Sequence, residues 1–170
     1  MEFEQFLLDR YSCRKLSDRP VEPEKIAAIA RAGIAAPTAC NKQPFKIWIL
    51  ESESAKEAYR RCSRFDFGAR VFFVVGADPS TCWVRSYDGK PFGDVDATIA
   101  ATQMMLQIHA LGLGTTWIAS FDAPALKKEF PEMAPYELVA VFPVGYPAED
   151  AIPSANHTTR RAYDEAVKVL

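Results

Sequence analysis

The sequence predicts an α+β domain in which helices surround a sheet. Three observations carry that expectation. Arg70 to Ala77 (RVFFVVGA) is a nearly continuous apolar run, which reads as a central strand buried on both faces. Asp94 to Leu111 is a long helical stretch whose apolar residues wrap almost all the way round, as in a helix buried on every side. Helical and strand segments alternate in mixed order, which suits a layered arrangement. At 170 residues the chain fits one domain with a single core, 1–170, and shows no internal repeat, linker or low-complexity segment.

Phe3, Phe6 and Leu7 share helical spacing. A second helix opens near Pro23, a residue suited to a first turn, and runs through Ile26, Ile29 and Ala30 towards Gly33. Residues 35–44 (AAPTACNKQP) have no period and read as loop. Phe45 to Leu50 is a strand, and Ser54 with Glu57 has the spacing of a capping box for a short helix. The long helix is opened by Asp94 and closed by Gly112. Its Val95, Ile99, Ala100, Met104, Met105, Leu106 and Ile108 call for burial in a core or at a subunit interface. Thr115 to Ala119 reads as a short strand, Asp122 and Pro124 start another helix, and Glu137 to Val144 is a final strand. The tail from Gly145 is broken by Pro147 and Pro153, and a stretch that long is expected to lie against something.

Twenty basic and 22 acidic residues leave a net charge of −2. Nucleic-acid binding rests on clustered positive charge, so nucleic acid is not the expected partner. The opening MEFEQFLLDR carries acids where a secretion signal needs a basic start. No stretch reaches the roughly 18 apolar residues of a membrane helix. Cys13, Cys40, Cys62 and Cys82 lie far apart without a CxxC pair, which reads as reduced thiols in a cytoplasmic protein. His109 and His157 are the two histidines, and no metal-ligand set assembles around them.

Gly112-Leu113-Gly114 follows a helix and precedes a strand, the reverse of a dinucleotide pyrophosphate loop, and GxxxxGK[ST] is absent. Arg10-Tyr11-Ser12-Cys13-Arg14 sets two guanidinium groups four residues apart with a hydroxyl between them. At a helix end they are either a solvated basic cap favourable to the dipole, or Arg10, Ser12 and Arg14 fan together onto one anion. Thr38-x-x-Asn41-x-Gln43-Pro44 is either turn chemistry or a set of donors and acceptors for a flat heteroaromatic ring. Arg160-Arg161 reads as solvent-facing charge. His109 reads as a packed core histidine, and Met104-Met105 as packing.

In order along the chain, these pieces resemble the nitroreductase family of FMN enzymes. The family's Arg-x-Ser-x-Arg opening is matched by Arg10, Ser12 and Arg14, and its Pro-Ser/Thr-x-x-Asn-x-Gln-Pro loop by Pro37, Thr38, Asn41, Gln43 and Pro44. The long helix leading to Gly-Leu-Gly-x-x-Trp is matched by Asp94 through Trp117, with Phe121-Asp122 following. Gly145-Tyr146-Pro147 and Arg160 complete the series. Each motif is weak alone; five in this order and spacing are specific.

The resemblance implies a mixed, mainly antiparallel sheet flanked by helices in an intertwined homodimer, with 145–170 packing on the partner subunit. It implies FMN as cofactor and NAD(P)H as electron donor, with nitroaromatics or quinones as acceptors in a ping-pong mechanism. Arg10, Ser12 and Arg14, with Tyr11 among them, would hold the ribityl phosphate and the pyrimidine edge; Arg160, beside Arg161, would help with the phosphate. Thr38, Asn41 and Gln43 would come from the loop of the other subunit or line the ring. Trp117, Ile118, Ala119 and Ser120 would lie beside the ring, with the Ala119 N–H near flavin N5. An arginine at the pyrimidine edge favours reduction electrostatically, and no side-chain acid or base is obligatory.

Two departures bear on the site. Many relatives carry Lys-x-Arg in the tail, where this chain has Thr158-x-Arg160 and then Arg161. The stretch between Val75 and Asp94 is short where larger members insert a helical lid, implying a more open pocket. Its Trp83, Arg85, Tyr87 and Lys90 either line the acceptor site or cover the sheet. A flavin-storing protein with little turnover would use the same contacts as an enzyme, whereas a structural dimer without cofactor would not need the full Arg10/Ser12/Arg14 set.

Overall fold

The computed structural model describes residues 2–170. Its elements are α1 (Phe3–Asp9), α2 (Pro23–Ile34), β1 (Phe45–Leu50), α3 (Glu53–Cys62), β2 (Val71–Ala77), α4 (Gly93–Ala110), α5 (Ala123–Glu129), β3 (Glu137–Val144) and a short α6 (Tyr163–Ala166). The strands form one sheet in the order β1-β2-β3, antiparallel throughout.

The sheet has a helix layer on each face, which is why β2 lacks alternation. Val71, Phe73 and Val75 pack towards α2 and α4, among Ile29, Met104 and Ile108. Phe72 and Val74 point the other way, among Tyr59 of α3 and Leu126 of α5. A strand with no solvent side takes apolar residues at every position, and all seven residues of β2 are buried.

Two local expectations are corrected. The N-cap of α3 is Ser52, whose hydroxyl accepts from the Ala55 N–H at 3.2 Å. The helix begins at Glu53, so Ser54 already lies in its first turn and cannot form a capping box with Glu57. Ser52→Ala should cost about 1 kcal/mol in chemical denaturation, while Ser54→Ala should stay within about 0.5 kcal/mol. Residues 115–119 form no regular strand; isolated bridges join Gly114 to Gly145 and Ile118 to Val141. Between those bridges the segment is shared, since the Thr115 carbonyl accepts from the Cys13 N–H on its other side. Asp122 does cap α5, accepting from the Ala125 N–H at 2.9 Å.

The outer surface of the α2/α4 layer is left apolar. α1 buries no residue in its own chain, and Phe3 is 69% and Ile34 61% exposed. A seven-residue helix has little stability alone and needs packing. Val95 on α4 is exposed, and Ile99 and Leu106 are half-buried. Among the described residues, no helix is long and apolar enough to cross a membrane.

Candidate active site

α1 stops at Asp9 because Arg10 turns extended, with φ −63° and ψ 123°. Beyond that turn Cys13 is buried against Gly114, while Arg10, Tyr11, Ser12 and Arg14 line a common cleft. Backbone bonds hold the segment in place: Cys13 N–H to Thr115 O at 2.8 Å, Leu16 N–H to Phe67 O at 3.0 Å, and Ser17 N–H to Tyr146 O at 2.7 Å.

Two glycines of the Gly-Leu-Gly run permit this. Gly112, at φ +70°, ends α4 with its N–H on the His109 carbonyl. A Cβ on Gly114 would meet Cys13 Sγ at 2.8 Å and Leu16 Cδ2 at 3.0 Å. Gly114→Ala should thus overpack the joint, cost about 1–3 kcal/mol in thermal or chemical denaturation, and weaken whatever the arginines hold.

The cleft has two compartments that meet at Arg14. The first, about 160 Å³, is lined by Arg10, Tyr11, Ser12, Arg14 and Arg160, together with Ser154, Asn156 and His157 of the tail. Among the described residues, three guanidinium groups and no carboxylate line it. Among the described residues none of the three is in an ion pair. Burial, and then repulsion from Arg160, hold the Arg10 guanidinium below its ordinary value. Cations gathered without a counter-charge suit an anion with several oxygens, which accepts charge-assisted and bidentate bonds. Burial first, then the Cys13 thiol, push the Tyr11 phenol up to about 12, so it stays a neutral donor.

The second compartment, about 170 Å³, is a slot lined by Arg14, Phe65, Phe67 and residues 116–120. The Trp117 ring turns into the core, edge-on to Phe142 at 5.2 Å, and Ile118 is buried. Ala119 and Ser120 are exposed, and among the described residues no hydrogen bond engages the Ala119 N–H.

The structure thus brings Arg10, Tyr11, Ser12, Arg14 and Arg160 together and sets Trp117, Ile118, Ala119 and Ser120 beside them. Arg161 turns away, its guanidinium on the Glu165 carbonyl at 2.7 Å. Pro37, Thr38, Asn41 and Gln43 lie elsewhere in the chain. Their loop is tied to α4 by the Ala39 N–H on Asp96 Oδ1 at 2.8 Å, whereas Arg10 lies beside His109, thirteen residues or roughly 20 Å along the helix axis. The loop also enters β1, while 114–118 flank β3, three strand spacings or roughly 14 Å across the sheet.

Phe65, Phe67, Ser154, Asn156 and His157 are cleft residues that sequence reasoning missed. The Phe65-x-Phe67 pair had a period of two that could have flagged it; the tail residues carry no local pattern. The tail from Ser154 to Arg160 lies on its own chain's cleft, and residues 161–170 are exposed. Trp83, Arg85, Tyr87 and Lys90 line neither compartment: Trp83 packs on Phe92 at 5.1 Å, Arg85 pairs with Asp88, and Tyr87 is exposed. His109 packs on the Phe6 ring at 4.9 Å, and burial and then Arg10 lower its pKa, so it is a neutral packing group.

Tyr146, whose carbonyl holds Ser17, ties the segment after Arg14 to the start of α2. Its hydroxyl donates to Glu22 Oε2 at 2.7 Å and accepts from Lys25 Nζ at 2.6 Å. The Tyr146 bond is the main reason the Glu22 carboxyl falls from 4.5 to about 2. A depressed carboxylate contributes stability above its unfolded value that is lost as pH falls through the folded one. Tyr146→Phe should therefore lower stability at neutral pH, and its deficit should shrink as pH drops from 4.5 towards about 2, as read by urea unfolding at several pH values.

Fold and cleft together define a nitroreductase-like oxidoreductase. The chain belongs to the nitroreductase family, whose model matches residues 7–64 and 60–146. A nitroreductase family protein from Clostridium difficile 630 has the same fold, with a TM-score of 0.90 at 30% identity over 99% of this chain and 98% of that one. A structure from Desulfovibrio desulfuricans, described as "a putative nitroreductase in complex with fmn", gives 0.81 at 25% identity over 98% of this chain and 95% of that one. An Archaeoglobus fulgidus protein named "Putative NADH dehydrogenase/NAD(P)H nitroreductase" is 28% identical over 162 residues, 86% of each chain.

Proposed function

We propose that this chain is an FMN-dependent oxidoreductase of the cytoplasm, passing reducing equivalents from NAD(P)H to small acceptors such as nitroaromatics or quinones. The observation that carries the reading is the joint at Arg14, where a cationic basin without counter-charge meets a slot floored by free backbone. FMN has that composition, one terminal phosphate at one end and a flat ring at the other. The FMN complex of the Desulfovibrio relative and the NAD(P)H in the Archaeoglobus relative's name support it.

FMN, when bound, supplies the hydride-transferring centre. The chain supplies binding and orientation. Arg10, Ser12 and Arg160 hold the phosphate, with Asn156 and His157 within the same basin. Arg14 serves both compartments and places a fixed positive charge at the ring's pyrimidine edge. The Ala119 N–H orients the ring without adding an acid or base. Donor and acceptor share one slot and use it in turn.

A second copy of the chain completes the site. The amide loop is too far from its own chain's basin to serve it, so Thr38, Asn41 and Gln43 reach the ring of the partner subunit. The apolar outer surface of α1, α2 and α4 is the surface on which that homodimer forms.

The test is to release the chromophore by denaturation, identify it, and add NADH or NADPH anaerobically to the intact protein. Release of FMN and bleaching by either nucleotide support the reading, with parallel lines in steady-state plots. FAD, no flavin after reconstitution, or intersecting lines with a trapped ternary complex each count against it. Flavin that binds but never bleaches would mark a storage protein.

A further inference from the structure

We propose that Asp96 is a positioning residue for the amide loop, a buried carboxylate that fixes the backbone carrying Asn41 and Gln43. The inference rests on reading the cleft as an FMN site completed by that loop. Asp96 sits in the first turn of α4 and is 1% exposed. Its Oδ1 accepts the Ala39 N–H at 2.8 Å. Among the described residues its Oδ2 has no hydrogen-bond partner, and no cation pairs with it. A carboxylate buried in that state is unfavourable for folding, and the nearby helix N-terminus offsets it only in part.

What Asp96 grips is equally unusual. Cys40, Asn41 and Gln43 have φ of 51°, 53° and 50°, the left-handed region that side chains other than glycine's seldom occupy. Such backbone persists only where its surroundings over-determine it. Within the loop, the Asn41 N–H bonds Thr38 O and the Gln43 N–H bonds Thr38 Oγ1, each at 3.0 Å. The far end is held by the Asp78 N–H on Pro44 O at 2.6 Å. The near end is held to α4 by Asp96. Two unfavourable features, a half-satisfied buried carboxylate and a left-handed loop, meet at one hydrogen bond. Their common product is a defined presentation of the Asn41 and Gln43 amides.

The experiment compares Asp96→Ala and Asp96→Asn with the wild type in three measurements: FMN titration by fluorescence quenching, thermal melting of flavin-free protein, and hydrogen exchange of residues 38–43. Asp96→Ala removes a buried carboxyl group with an unpartnered oxygen as well as the tie. It should bind FMN at least about tenfold more weakly while melting at the wild-type temperature or above it. Asp96→Asn keeps an oxygen for the Ala39 N–H and should restore FMN affinity to within about threefold of wild type. Exchange at 38–43 should speed up in Asp96→Ala and not in Asp96→Asn.

Wild-type FMN affinity in Asp96→Ala overturns the proposal. So does a fall in melting temperature that accompanies the loss of affinity, because that is the mark of a merely structural residue. The exchange measurement needs no flavin. If the wild type takes up no FMN, the reading of the cleft fails, and the exchange pattern alone decides whether Asp96 holds the loop.

Discussion

Arg14→Ala should weaken FMN binding 10- to 100-fold. Each charge-assisted hydrogen bond contributes about 1.5–3 kcal/mol, which corresponds to one or two decades in a dissociation constant. Arg14 faces both compartments of the cleft, so in the proposed FMN site its removal costs contacts at phosphate and ring together. Arg10→Ala should fall in the same range, because Arg10 lines the basin beside Arg160. Lys15 supplies the control. It follows Arg14 directly but pairs with Asp150 on the surface and lines neither compartment, so Lys15→Ala should leave affinity within about threefold. Flavin titration decides, and equal losses at Arg10, Arg14 and Lys15 would mean that general positive charge, not a built site, is responsible.

That contrast shows what kind of information was legible in the sequence. β1 and β3 were predicted over the same residues they occupy, and α4 to within one residue at each end. In each case one period, or its absence in a two-sided strand, is set by burial alone. The cap of α3 was not legible because Ser52 and Ser54 are chemically equivalent, and only the backbone at Glu53 decides between them. The arginine cluster was visible as Arg-x-Ser-x-Arg, yet spacing left open whether it solvates a helix end or lines a cleft. The turn to extended backbone at Arg10 decides this, and that turn is held by Thr115, Phe67 and Tyr146, more than fifty residues away. Ser154, Asn156 and His157 belong to the same basin for tertiary reasons only, and no local pattern announces them.

Leu106→Glu should split the proposed homodimer and abolish FMN binding together. Leu106 lines a mainly apolar groove of about 300 Å³ with Phe3, Phe6, Ala32 and Ala35, rimmed by Gln103 and Gln107, where α1, α2 and α4 leave their outer surfaces uncovered. A carboxylate placed there remains solvated in a single chain but loses its water when two copies meet. The penalty is several kcal/mol per buried charge, and a two-fold interface repeats each contact. Taking about 3 kcal/mol at each of two sites, the dimer dissociation constant rises roughly 10⁴-fold. Folding of the monomer should be little affected, so far-ultraviolet circular dichroism should match the wild type. FMN should be lost even though no residue of the basin has changed, because the proposed site takes its Asn41 and Gln43 amides from the departing copy. Lys128→Glu, on the exposed surface of α5 in the opposite layer, should alter neither property. Sedimentation with flavin absorbance reads both at once: a Leu106→Glu monomer that still carries stoichiometric FMN would show that one chain suffices, and a Leu106→Glu dimer would place the interface on another face.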